Sequence, residues 1–183
     1  MTWTDTPTRY GAISRALHWA MAALFAWQFA GMLLKFVLGR VPLMKFWVGT
    51  HSSIGTLLLI LLALRLLWAL AQRRHRPAYA QGALGRLAVL GHVALYVLML
   101  VVPALAVLRM FGNGRAVELF GITFRPETGQ KIEWMVAPAS LLHGILAWVL
   151  LALIAGHVLM VILHRYLWRD DVLPRMLGSG GRR

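Results

Sequence analysis

The chain contains no cysteine. That excludes disulfides, iron–sulfur ligation and a C-x-x-C-H attachment site, so any haem would have to be held non-covalently. Acidic residues are nearly as scarce: six Asp and Glu stand against nineteen Lys and Arg, giving a formal charge of +13. None of the six acids falls within a long apolar stretch, where a metal or proton transporter would ordinarily place carboxylates beside its histidines. No soluble domain and no low-complexity insert interrupts the sequence.

What fills the chain instead is apolar. Of 183 residues, 60% are hydrophobic, whereas an ordinary globular chain is about 45–50% apolar. A soluble domain of this length has no interior large enough for that surface, so the bilayer must be the solvent. Four stretches exceed the roughly 20 residues needed to cross a hydrocarbon core. They lie near 15–37, 50–71, 85–108 and 138–166, each to within about three residues. The expectation is an all-α integral membrane four-helix bundle, a single domain over 1–177 with a flexible tail at 178–183 that begins just beyond Met176. The leader MTWTDTPTRYGAIS carries an acid and lacks the basic region of a signal peptide, so the first span is read as retained. The segment MFGNGRAVELFGITFRPETGQKIEW, between the third and fourth spans, has turn residues and room for a short surface helix or strand.

A pI near 11.7 would suggest nucleic acid in a soluble protein. Here the basic residues sit in loops between apolar segments, so topology accounts for most of them and no nucleic-acid partner is expected. Arg9, Arg15, Arg73, Arg74, Arg76, Arg86, Arg165, Arg169, Arg175, Arg182 and Arg183 flank the spans on one side, eleven in all; Lys35, Arg40, Lys45, Arg109, Arg115, Arg125 and Lys131 flank the other, seven. Basic residues accumulate on the cytoplasmic side, which predicts both termini inside. The opposite face remains cationic. It would attract anionic lipid headgroups, or raise the local concentration of a small anion.

Residues 141–166, LLHGILAWVLLALIAGHVLMVILHRY, carry His143, His157 and His164, spaced by 14 and 7 residues. At about 100° per residue these steps return to within roughly 40° and 20° of the starting direction, so all three share one helix face. Antiparallel neighbours sort the remaining histidines by depth. His51 and His143 both begin even-numbered spans and should meet in the outer leaflet. His18 and His92, early in odd-numbered spans, gather with His157 in the inner leaflet, about 21 Å along the fourth helix from His143. One isolated intramembrane imidazole usually just hydrogen-bonds a neighbouring helix. Five at two matched depths fit two stacked six-coordinate haems, each taking axial imidazoles from facing helices. Gly55, Gly144 and Gly156, near these histidines, would let a flat macrocycle approach the backbone, or simply serve ordinary small-residue helix packing. Arg65, 14 residues beyond His51, would pair with a haem propionate or snorkel to the interface.

The ordered set SRALHW, THSSIG, LGHVALY, LLHGILAWVLLALIAGH and HRYLWRDDVLPRM resembles the bacterial cytochrome b561 family, and within it the superoxide oxidase type, over residues 8 to 177. The resemblance implies a multi-pass protein of the bacterial inner membrane with two non-covalent, bis-His haem b groups, oxidising superoxide at the periplasmic face and reducing ubiquinone. It pairs His18 with His157 for the inner haem and His51 with His143 for the outer one. Depth alone leaves His18 and His92 equal; the family pattern selects His18 and leaves His92 beside the haem or at a quinone site. The resemblance also puts His164 near ubiquinone, where a near-neutral imidazole suits proton donation; an interfacial anchor with Tyr166 and Trp168 is the plainer alternative. No side chain is required as a nucleophile. Two rival functions remain: a cytochrome b subunit that links a redox protein partner, such as a dehydrogenase or hydrogenase, to quinone, and a His-based metal or proton transporter.

Overall fold

The computed structural model describes residues 2–39, 41–79, 81–170 and 172–178. Arg40, Arg182 and Arg183, counted above in the charge balance, lie outside them, as does the tail from 179. The elements run α1 (Ala12–Leu38), α2 (Leu43–Ala71), α3 (Gly82–Gly112), β1 (Val117–Leu119), β2 (Ile122–Arg125), α4 (Glu133–Tyr166) and α5 (Val172–Leu177). The fold is mostly helical, and α1 to α4 are each long and apolar enough to cross a membrane.

These helices have 27, 29, 31 and 34 residues. At about 1.5 Å per residue they rise roughly 40–51 Å, well beyond a hydrocarbon core of about 30 Å. Hydropathy marks the most apolar part of each helix, so three boundaries differ from the sequence reading by more than three residues, and α3 runs on to Gly112 rather than ending near 108. α2 begins at Leu43 rather than near 50, directly after Pro42, whose missing N–H costs nothing at a helix start. α4 begins at Glu133 rather than near 138, with the acid favourably placed in its first turn. The loop with room for a helix or strand forms a hairpin: β1 and β2 pair antiparallel, with Glu118 opposite Thr123 and Leu119 opposite Ile122. The short α5 was not foreseen.

The closest helix packing joins α3 to α4 and α1 to α2, with α2 against α3 less extensive. At Gly112, where α3 ends, a Cβ would come within 2.4 Å of the Met135 Cβ, so only glycine permits this approach of α3 to α4. Most large apolar side chains face outward, as lipid solvation requires. The interior holds two small clusters. Met21, Leu58 and Leu62 pack with Phe25 and Tyr96; Leu95, Val102 and Leu150 pack with Phe29 and Leu153. Leu150 is midway between His143 and His157, so these clusters form a dry layer between the two histidine levels.

The face carrying the leader and α5 is tied together by polar contacts. The Asp5 carboxylate, with no exposed side-chain surface, accepts from Gly11 N–H at 2.8 Å and from Arg76 Nε at 3.0 Å. The α5 carbonyls of Leu177 and Met176 accept from Arg15 Nη1 and Trp19 Nε1. The leader, the α2–α3 turn and α5 thus form one cap over the ends of the helices. Burial holds the phenols of Tyr10 and Tyr79, both in this cap, above the ordinary tyrosine value.

Candidate functional site

α2 and α4 bring His51 and His143 together near the hairpin face, with ring centroids 6.1 Å apart and ring planes at 80°. α1, α3 and α4 bring three imidazoles together at the other level. His157 is 6.4 Å from His18 and 5.4 Å from His92 between ring centroids. The two-level grouping read from helix periodicity is therefore the grouping observed. It follows from one continuous α4 carrying a histidine to each level, about 21 Å apart.

Each pair can be tested against a six-coordinate iron. With metal–imidazole bonds of about 2.0 Å, and about 1.15 Å from nitrogen to ring centre on each side, two trans imidazoles have centroids about 6.3 Å apart. The His51–His143 and His18–His157 separations match this; His92–His157 is about 0.9 Å short by the same arithmetic. The hydrogen bonds agree in part. His143 Nδ1 lies 3.0 Å from the Val102 carbonyl oxygen, and donating there would leave Nε2 free as a ligand. His92 Nδ1 lies 2.6 Å from the Ala88 carbonyl oxygen, one turn back along α3. His51 Nδ1 is buried with no hydrogen-bond partner, while the Gln28 amide donates to the His51 carbonyl at 3.0 Å. Among the described residues no group of three or more His, Asp or Glu converges as a bare metal ion would require. His51 and His143 form a facing pair, and at the other level His157 faces both His18 and His92; facing imidazoles suit a metal already held in a planar macrocycle.

Space for such a group accompanies the His51–His143 pair. A cavity of about 690 Å³ is lined by both histidines, Gly55, Gly144 and apolar residues including Phe29 and Leu150, with Lys35 and Arg109 also on its wall. Nothing lies within 4 Å of a Cβ placed on Gly144, and Gly55 would meet only the Gln28 amide, at 3.4 Å. A Cβ on Gly156, beside His157, also meets nothing. These faces are open enough for a flat ring to lie against the backbone, and the residues present fit haem.

Arg65 turns into the bundle rather than toward water: its Nε donates to the Tyr96 hydroxyl at 3.1 Å, and its buried Nη1 has no partner. A carboxylate would satisfy that nitrogen. His164, at the end of α4, contacts the Asp170 carboxylate through Nδ1 at 2.5 Å and packs its ring on Trp168 at 4.6 Å. Tyr79 sets its ring 5.7 Å from His92 and also lines a groove of about 510 Å³ with Gln81, Arg86 and Leu90.

Several of these partners escaped the sequence reading. Tyr96 lies four residues after His92, one turn along α3 and so on the same face; Asp170 follows His164 by six residues in HRYLWRDD. Gln28 and Asp5 carried no local signal, because their partners lie on other segments.

The comparisons with known proteins agree with this geometry. The profile described as prokaryotic cytochrome b561 matches residues 9–179. Cytochrome b561 homolog 2 of Escherichia coli (strain K12) is 33% identical over 187 aligned positions, covering 98% of this chain and 96% of the relative. Four apolar helices with histidines paired across the bundle are what a membrane haem protein requires, and the chain belongs to the prokaryotic cytochrome b561 family, whose members bind haem b in the membrane and transfer electrons.

Proposed function

We propose that this protein is a superoxide:ubiquinone oxidoreductase of the bacterial inner membrane, a single domain over 1–177 with both termini in the cytoplasm. The observation that carries the proposal is the cavity at the His51–His143 pair, walled by Lys35 and Arg109, on the face opposite the termini. His51 and His143 would hold one haem b there. His18 and His157 would hold a second, on the separation argument given above. When bound, haem b supplies one-electron oxidation and reduction. The overall reaction balances as two superoxide anions and two protons converting one ubiquinone to ubiquinol, with two molecules of dioxygen released.

The chain's own residues supply the rest. Lys35 and Arg109 raise the local concentration of a small anion at the cavity, and this attraction weakens as salt is added. Leu58, Leu62 and Leu150 keep water out of the layer between the histidine levels. The unpartnered Arg65 Nη1 is suited to neutralise a propionate carboxylate. At the terminal face His164 holds a proton at Nδ1 or Nε2, with Asp170 fixing the ring, and is suited to deliver it to a reduced quinone. His92, outside the ligand set, packs on the Tyr79 ring, which itself lines the neighbouring groove, and is assigned to the quinone side.

The test is stopped-flow mixing of the purified protein with superoxide, with and without a ubiquinone analogue. The proposal expects rapid reduction of the b-type spectrum and quinol formation with one quinol per two superoxide. A protein that retains its haem spectrum but reacts with superoxide no faster than free haem would favour the subunit that serves a redox protein partner. A folded, inserted protein without b-type bands would leave the transporter.

A further inference from the structure

The hairpin on the face opposite the termini presents three large apolar side chains to the surroundings. Phe120 is 61% exposed, Ile122 61% and Phe124 62%. Their arrangement is amphipathic. Leu119 and Ile122 are cross-strand partners, so they share a face, and Phe124 joins them two residues along β2. Glu118 and Thr123 pair on the opposite face. Leu119 is buried on the bundle, while Ile122 and Phe124 continue the same apolar face beyond it along the outer strand.

The level of the hairpin is fixed by one hydrogen bond. The Phe120 N–H donates to Ser53 Oγ on α2 at 2.9 Å. At the other end α2 gives way to Gln72, Arg73 and Arg74, which do not enter hydrocarbon. Counting back about 30 Å at 1.5 Å per residue from Ala71 reaches roughly residue 51. Ser53 is therefore at the boundary between hydrocarbon and headgroups, and so is the hairpin's turn. Two residues correspond to about 200° of rotation around α2, so Ser53 faces away from the flank on which His51 meets His143. The hairpin lies against the outer side of the bundle, where lipid is found.

The turn adds an independent indication. Its two central residues, Phe120 and Gly121, have φ of 53° and 78°. Hairpin turns of this kind take Asn, Asp or Gly at such positions, and a bulky aromatic with positive φ is an outlier. A conformation that costs free energy persists when the side chain gains something by being there. A phenyl ring at the lipid boundary gains burial. Arg125 ends the apolar strand with its guanidinium folded 5.5 Å over the Phe111 ring of α3.

We propose that the β1–β2 hairpin is an amphipathic membrane anchor: Phe120, Ile122 and Phe124 bed into the lipid of the adjoining leaflet, and Glu118 and Thr123 face water. The inference is independent of the reaction proposed above.

Because the chain has no cysteine, single spin labels can be placed without background. Ile122→Cys, Phe124→Cys, Thr123→Cys and the lipid-facing reference Leu67→Cys are labelled in the haem-loaded full chain, reconstituted in phosphatidylcholine/phosphatidylglycerol nanodiscs. Collision with dioxygen, which partitions into lipid, is compared with collision with a water-soluble nickel chelate. The ratio of dioxygen to chelate collisions at 122 and 124 is expected to be several-fold that at 123 and to approach that at Leu67→Cys. A ratio at 122 and 124 equal to that at 123 would put the apolar face in water and overturn the anchor. Low access to both probes with dipolar broadening between labels would mean that a second copy covers the face, and would overturn it equally.

Discussion

In the proposed ligand set His18, and not His92 at the same depth, is the partner of His157. His18 and His92 both approach His157, at 6.4 and 5.4 Å between ring centroids, but only the first separation matches the roughly 6.3 Å of two imidazoles on opposite sides of one metal. His92 would have to retreat from His157 by about 0.9 Å, from a ring position set by its contact with the Ala88 carbonyl at 2.6 Å and by packing on Tyr79. Replacing His18 by Ala is therefore expected to remove one ligand of the haem nearer the termini and lower the content from about two haems per chain to about one. His92→Ala should retain about two, with at most a shift in the potential of one haem through lost packing. The assay is a pyridine haemochrome determination against protein concentration, with the dithionite-reduced spectrum recorded for each variant. His51→Ala and His143→Ala, which each break the other pair, provide the calibration for losing one haem. A His92→Ala protein with one haem, beside a His18→Ala protein with two, would refute the ligand assignment and the distance argument together.

Other outcomes follow from the same structure. Asp5→Ala removes the partner of Arg76 and strands the Gly11 N–H. With Arg76 still 25% exposed, the loss should be about 2–3 kcal/mol, below that of a fully buried pair, and is read as a lower denaturant midpoint in detergent; an unchanged midpoint would show that the cap contributes nothing. Lys35→Gln with Arg109→Gln is expected to slow capture of superoxide by about tenfold at low ionic strength and to flatten its salt dependence, measured by stopped flow; equal salt slopes in variant and parent would dismiss the steering role. Gly112→Leu should force α3 and α4 apart at Met135 and reduce the yield of inserted protein, whereas the same change at Gly49, where a Cβ meets nothing within 4 Å, should be tolerated. Tyr10 and Tyr79 have pKa values raised by burial, so the folded state holds its phenol protons more tightly than the unfolded chain. Their contribution is whole below the ordinary tyrosine value near 10 and is lost as pH rises through the folded values; ultraviolet titration alongside thermal unfolding would detect it.

The histidine levels were legible because an α-helix converts spacing into direction without reference to anything else. His143 and His157 needed only 3.6 residues per turn, and antiparallel order then gave His51 and His18 their depths. The starts of α2 and α4 were less legible: Lys45 and Gly49 interrupt the apolar run at one, Glu133 and Pro138 at the other, although both segments are helical. Tertiary polar contacts were not legible at all. Ser53 bonds Phe120 across 67 residues and Asp5 bonds Arg76 across 71, and neither pair has a period or composition to announce it. His18 and His92 were left equal because both positions satisfy the same depth, and the choice between them needs a distance that only packing supplies.

α4 acts as a ruler. It supplies one histidine to each level from a single unbroken rod of 34 residues, so the interval between the levels is counted in amino acids and is not adjustable by loops. Inserting one residue between Leu146 and Ile154 would swing everything beyond it by about 100° and sacrifice one pairing while sparing the other. Only changes near whole numbers of turns would keep both, so among descendants of this sequence insertions should collect in the connecting loops and be purged from this interval.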